Sequence, residues 1–284
     1  MFLYNAIGVF SESVLSLYPI IIKITSLDVP FNTFIRLTSY LIISAIFANY
    51  EVLSDIGLGK LIALAGVNIA HILSSYYGFK ALVPSVAQSV FYLYPFINLL
   101  LNILLLGESI APTKFFFLIP VIYSIYHIYG IGKQEAIGSE LKWGLGMIAI
   151  SAITESLLYI LIKSIDLGNN PWNSLFVSYS LAAILYGIYY IYDNGIDKTR
   201  DTIVANKKEV ATLVLANMAI GSLGYGLRFW SIPRIPSVTH SIISYTGIFT
   251  TVLYSFYLGI EKVNISKIGY LGMLASSLLA MKLL

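Results

Sequence analysis

Two acidic residues stand where acid is costly. Glu12 lies midway along the apolar stretch 2–24, within Ser11-Glu12-Ser13-Val14-Leu15, and Glu155 midway along 142–163, within Thr154-Glu155-Ser156-Leu157-Leu158. An ionisable side chain at the centre of a lipid-spanning helix costs roughly 2.5–3.5 kcal/mol on insertion scales, so each residue marks function by default. A carboxyl group withdrawn from water holds a proton more readily and gives it up when a cation or solvent arrives, which is what proton-coupled exchange requires. The competing reading makes each Glu a packing residue, hydrogen-bonded to a Tyr or to the adjacent hydroxyls of Ser11, Ser13, Thr154 and Ser156.

A second polar constellation repeats along the chain. Gln88 in Pro84-Ser85-Val86-Ala87-Gln88-Ser89-Val90 matches His240 in Pro236-Ser237-Val238-Thr239-His240-Ser241-Ile242. On one helical face Ser85, Gln88, Ser89 and Tyr92 align, as do Ser237, His240, Ser241 and Ser244, and either row could line a cavity or hold helices together. His71 has Asn68 one turn before it and is a cavity candidate, whereas His127 stands alone. Tyr18, Tyr92 and Tyr159 lie deep enough in their stretches to offer rings or hydroxyls to a solute, while Tyr189, Tyr190 and Tyr192 read as an interfacial belt. Arg228 and Arg234 are expected to snorkel to the interface. No metal-ligand spacing, phosphate loop or nucleophile elbow is present, so no metal, cofactor or enzymatic activity is expected.

The elements that must carry these residues follow from composition. Of 284 residues, 58% are hydrophobic and 11% charged, and mean hydropathy is +0.82. A globular chain has roughly 45–50% apolar and about 25% charged residues, so a soluble domain and a disordered chain are both excluded. The absence of cysteine excludes disulfides and thiolate chemistry, and a scattered net charge of +3 gives no footprint for nucleic acid. No cationic segment precedes the first apolar stretch, so a cleaved signal peptide is not expected.

A spanning helix needs about 20 mostly apolar residues. Ten such runs are readable: 2–24, 31–49, 57–79, 84–106, 112–131, 142–163, 172–192, 209–231, 236–259 and 266–284. The connections are short, except for a hydrophilic loop over 193–209. Pro19, Pro95 and Pro120 fall inside runs and predict kinks, and Gly144-Leu145-Gly146 predicts close packing or a hinge. The matches between the Glu12 and Glu155 segments, and between the Gln88 and His240 segments, divide the chain into two five-helix repeats, 1–133 and 134–284. Five is odd, so the second repeat enters the membrane inverted. The expected fold is therefore an all-α, multi-pass membrane protein of ten transmembrane helices in two inverted repeats.

Particular residues resemble a known family. Val29-Pro30-Phe31-Asn32-Thr33-Phe34-Ile35-Arg36, opening the second helix, resembles the EamA-type branch of the drug/metabolite transporter superfamily. Val83 to Ile110, with Pro95 and the exit Leu106-Gly107-Glu108-Ser109-Ile110, is similar to that family's fourth helix. Thr246-Gly247-Ile248-Phe249 through Leu258-Gly259-Ile260-Glu261 and Ile268-Gly269 resembles the end of its second unit, with Ile260 inserted before the acid. The resemblance implies ten helices around a central solute cavity.

Two narrower resemblances bear on the solute. Glu155 to Lys163 is similar to the first helix of small multidrug resistance transporters, whose Glu is shared by substrate and proton; in helix 1 the basic residue, Lys23, comes one turn later. Val238-Thr239-His240-Ser241 resembles nucleotide-sugar and phosphate-sugar carriers, but Gly247 and Ile248 stand where those carry a basic pair. Family members commonly keep both termini in the cytosol. Here eleven of the 17 basic residues fall on the side opposite the termini, and the positive-inside rule would put the termini outside.

The expectation is a secondary transporter, an antiporter working by alternating access and coupled to protons, for an amine, amino acid or similar small organic solute. Its candidate site comprises Glu12, Glu155, Gln88, His240, His71, Tyr92 and Tyr159. Its partners would be the solute, protons and the lipid bilayer, with no nucleic acid, and it would act as a monomer or homodimer. The alternatives are an organic-phosphate or nucleotide-sugar exchanger, and a membrane scaffold that transports nothing and has no closed cavity.

Overall fold

The structure, a computed structural model, describes residues 2–107, 109, 116–135, 140–262 and 264–283. Glu108, Ile110 and Lys114 lie outside the described residues, as does the beginning of the fifth expected span. The described residues form helices joined by short turns, with no strand among them. Among them, seven segments are long and apolar enough to cross a membrane: Phe2–Ile24, Val29–Phe47, Leu58–Ala81, Pro84–Leu105, Glu140–Lys163, Pro171–Asn194 and Lys207–Arg234. Leu118–Ile131 and Ile265–Met281 are shorter apolar helices. The outer surface carries exposed Phe2, Phe10, Ile46, Leu104, Ile188 and Tyr257, the apolar coat that lipid requires. The protein is an integral, multi-pass membrane protein.

Several spans are broken, and chain chemistry explains most of the breaks. The first consists of α1 (Phe2–Leu15) and α2 (Tyr18–Ile24). Pro19 has no N–H for the carbonyl one turn before it, so the helix cannot run through. After α3 (Val29–Phe47) and α4 (Leu58–Ala81), Pro95 divides the next span in the same way, into α5 (Pro84–Phe91) and α6 (Tyr94–Leu106). Pro120 likewise sits in the first turn of α7 (Leu118–Glu135), directly after a turn at Phe117 that separates this helix from the helical Phe116.

The second half contains α8 (Glu140–Lys163), α9 (Pro171–Asn194), α10 (Ile196–Ala205) and α11 (Lys207–Ile220). The segment 193–209 is thus largely helix and not a loop. Gly195, at φ 78°, ends α9 and starts α10 at a new angle. Next, α11 passes into a π-helical turn, Gly221–Gly226, and then α12 (Leu227–Ser231). The span expected over 236–259 is α13 (Ser237–Ser244) and α14 (Thr246–Tyr257), interrupted at Tyr245 without a proline, and α15 (Ile265–Leu283) closes the chain.

Capping and small residues set the packing. Asp28 accepts the N–H of Phe31 at 2.7 Å to begin α3, and Asn170 accepts that of Trp172 at 3.0 Å to begin α9, each with a proline in the first turn. Gly78 on α4 faces Ile148 of α8, where a Cβ would come within 2.3 Å, and Gly144 meets Leu82 at 2.8 Å. Gly144 is therefore a packing glycine.

Both ends of the bundle are tied across helices. At one end Asn49 N donates to Asn173 Oδ1 at 2.8 Å, Lys60 Nζ to Ser164 O at 3.1 Å and Arg234 Nη2 to Gly168 O at 2.6 Å. At the other, Glu209 accepts Thr25 Oγ1 at 2.6 Å and Ser26 N at 2.8 Å, while Glu261 accepts Ser85 N and Lys267 Nζ, both at 2.7 Å.

Candidate functional site

The helix breaks converge on the two glutamates. Glu12 comes from the last turn of α1, Glu155 from the middle of α8, and Arg228 from α12 directly after the π turn. All three are at most 2% exposed. Arg228 spans the gap, with Nε 2.9 Å from Glu12 Oε1 and Nη1 2.5 Å from Glu155 Oε1. Its Nη2 donates to Tyr94 Oη at 2.9 Å, and Tyr94 Oη in turn lies 3.5 Å from Glu12 Oε1. Tyr92 Oη donates to Glu12 Oε2 at 3.4 Å, and Ser244 Oγ faces Glu12 Oε1 at 3.5 Å.

This arrangement corrects two expectations. Arg228 does not snorkel, because its helix continues past the π turn and holds it in the core, where two carboxylates compensate its charge. Arg234 does remain near one end of the bundle, over the Trp230 ring at 4.8 Å. Nor do the neighbouring hydroxyls serve the glutamates. Ser11, Ser13, Thr154 and Ser156 donate to carbonyls of their own preceding turns, the usual fate of mid-helix Ser and Thr. The partners come from other helices.

His71 on α4 completes the cluster. Its Nδ1 is 3.2 Å from Ser151 O, while Nε2 is 3.3 Å from both Glu155 Oε2 and Tyr225 Oη. The hydroxyls of Ser151 and Thr154 also lie 3.3 and 3.5 Å from Nδ1, so Nδ1 can donate to the carbonyl or accept from a hydroxyl, and with the proton on Nε2 the ring donates to Glu155. Asn68 does not share this environment, since its amide donates to Leu64 O and Ser178 O, both at 2.9 Å.

The cluster borders a small cavity of about 20 Å³, whose lining includes Glu12, His71, Gln88, Tyr92 and Arg228. That volume holds about one water molecule. Gln88 Nε2 donates to Thr251 Oγ1 at 2.9 Å, but Gln88 Oε1 has no hydrogen-bond partner. Tyr18 and Arg36 also line the cavity. Arg36 is 1% exposed and lies over four tyrosine rings: Tyr18 at 4.2 Å, Tyr225 at 4.9 Å, and Tyr40 and Tyr76 at 5.3 Å. A desolvated guanidinium over a ring face gains about 2 kcal/mol, and the tyrosines form a cage round it.

Tyr159 and His240 lie apart from this group. They stack with centroids 4.9 Å apart, and Tyr159 Oη donates to Ser237 Oγ at 3.0 Å beside Asn102 and Lys163. Of the two expected rows, Ser85 belongs to the Glu261 tie, Ser241 donates to Pro95 O at 3.2 Å, and Gln88, Tyr92 and Ser244 reach the centre. His127 stacks on Tyr270 at 4.5 Å, outside the site. Arg36, Arg228, Tyr94 and Tyr225 are the residues sequence reasoning left out of the site. Both arginines fall inside expected apolar runs, but near their ends, where a basic side chain also reads as snorkelling.

Comparison with known proteins agrees with this architecture. No curated protein gives a significant match in sequence. A solved crystal structure, titled only as that of a protein, superposes with a TM-score of 0.70 over 99% of this chain and 98% of its own, at 14% identity. It shares the fold. The sequence profile of the EamA-like transporter family matches twice, at residues 5–130 and 142–282. Each match contributes one of the buried glutamates, and with nearly the whole chain covered, the protein belongs to the EamA-like transporter family.

Proposed function

We propose that this protein is a secondary transporter that exchanges a small zwitterionic or cationic organic solute, such as an amino acid or amine, against protons. The observation that carries the reading is the meeting of Glu12 and Glu155 on Arg228 at the wall of a small buried cavity. An ammonium group arriving there competes with Arg228 and with protons for the same carboxylates. In this reading Glu155, with His71 Nε2 3.3 Å away, takes up and releases the exchanged proton, and Glu12, surrounded by Tyr92, Tyr94 and Ser244, is the partner for the solute's positive group.

Ten spans in two inverted repeats, 1–133 and 134–284, are part of this proposal. Support comes from the equivalent glutamates, from the proline-opened α3 and α9 with their Asp28 and Asn170 caps, and from helix breaks in both halves. Alternating access then consists of releasing one tied end at a time: the Asn49–Asn173 and Lys60–Ser164 contacts, or those of Glu209 and Glu261. Broken helices beside a central site suit such bending. The organic-phosphate alternative loses ground, because Arg228 is already between two carboxylates whose charge opposes a phosphate at this cavity.

Uptake into proteoliposomes under a pH gradient tests the proposal. Glu12→Gln and Glu155→Gln each abolish gradient-driven uptake while the protein still folds; full uptake in both variants refutes it.

A further inference from the structure

Arg36 is the cavity's unexplained charge. Its Nε and Nη2 are buried and have no hydrogen-bond partner, and no described carboxylate lies within ion-pair distance of it. Glu12 and Glu155 are both held by Arg228. The surrounding tyrosines present ring faces to Arg36, and Tyr76 and Tyr225 also hydrogen-bond it, but Nε and Nη2, the two N–H groups on one edge of the guanidinium, stay unpartnered. A second orphan belongs to the same cluster: the hydroxyl of Tyr179, whose ring packs edge-on against Tyr40 at 4.8 Å, is buried without a partner. Burying unpaired donors of a permanent cation is unfavourable, and it persists where a ligand completes the set.

We propose that Arg36 is a carboxylate-binding subsite: its unpaired N–H groups receive the anionic group of the solute, so the solute is a zwitterion and not a simple amine. This rests on the transporter reading above and narrows it. Arg36 and the Glu12–Arg228 pair line one cavity, and because that cavity holds about one water molecule here, a single molecule bridging them with an ammonium and a carboxylate requires the helices around it to part. The planar guanidinium suits a carboxylate because its parallel N–H groups match two oxygens. A phosphate would bring greater negative charge next to Glu12 and Glu155, and it is disfavoured on that ground.

The test measures binding to the purified full-length protein by ligand-dependent thermal unfolding. L-Phenylalanine, L-leucine and L-lysine are each titrated beside the amine left by removing the carboxyl group and beside the carboxamide. The expected result is stabilisation by one or more amino acids, with the matching amine and carboxamide binding at least about tenfold more weakly, the loss of roughly one charge-assisted hydrogen bond. In Arg36→Lys, which keeps the charge but loses the fork, that preference shrinks as the amino acid's affinity falls toward the amine's. Equal binding of amine, carboxamide and amino acid by the wild-type protein overturns the subsite without need of any variant, as does an undiminished preference in Arg36→Lys. If amines bind equally and are also taken up by proteoliposomes, the transporter reading stands and the subsite falls; if no solute binds or is taken up, both fall.

Discussion

Arg228 holds the two glutamates and is the residue whose loss should be felt most. Removing one partner of a buried ion pair leaves the other charge uncompensated, at a cost of about 3–5 kcal/mol. Arg228→Ala leaves two such carboxylates, so its thermal unfolding midpoint in detergent is expected well below that of the wild type. Combining Arg228→Met with Glu12→Gln and Glu155→Gln removes every charge of the triad and is expected to restore most of the stability while transport stays lost. A triple variant no more stable than Arg228→Ala alone would show that the ion pairs are not the cause. The glutamates were legible in the sequence, because a carboxylate midway along an apolar run has no cheap structural reading. Arg228 was not, because a long basic side chain near the end of a run reads equally well as snorkelling. Its depth is decided by the π turn Gly221–Gly226, which is invisible to hydrophobic patterning.

Broken helices give the site its shape, and glycines give it room. A Cβ on Gly247 would lie 1.5 Å from Tyr92 Oη, so Gly247→Ala must displace the hydroxyl that donates to Glu12. We expect about 1–3 kcal/mol of destabilisation from overpacking together with weakened uptake. Gly146 on α8 is exposed and a Cβ there meets nothing within 4 Å; Gly146→Ala should leave uptake unchanged and raise helix stability by about 0.5–1 kcal/mol. Thermal unfolding and uptake of the two variants side by side check both outcomes, and equal uptake would remove Tyr92 from the account. At this scale Pro19 and Pro95 announced their breaks, since a missing N–H acts locally. The interruption at Tyr245 carries no such residue. The segment 193–209 misled: polar composition marks exposure, and an exposed segment can still be helical, as α10 is.

For the whole molecule, cross-helix ties lie at both ends of the bundle and a small cavity lies between them in this member of the EamA-like transporter family. If solute and proton compete for the same carboxylates, solute affinity must depend on pH with a definite sign. Each carboxyl has to lose its proton before an ammonium group can pair with it, so binding is stronger at pH 8 than at pH 6. Thermal stabilisation by a bound amino acid should therefore be larger at pH 8, with that difference smaller in Glu155→Gln; equal stabilisation at both pH values would separate protons from the solute site. The multi-pass membrane class was legible from composition alone, because nothing else tolerates so little charge. The pairing of particular side chains across helices was not, because apolar periodicity records which residues are buried and leaves open which of them face one another.

The most direct test is solute uptake into proteoliposomes driven by an imposed pH gradient, comparing the wild-type protein with Glu12→Gln and Glu155→Gln in matched amounts of folded protein. The account predicts gradient-driven accumulation of an amino acid by the wild type and none by either variant. Accumulation at the wild-type rate in both variants would contradict it.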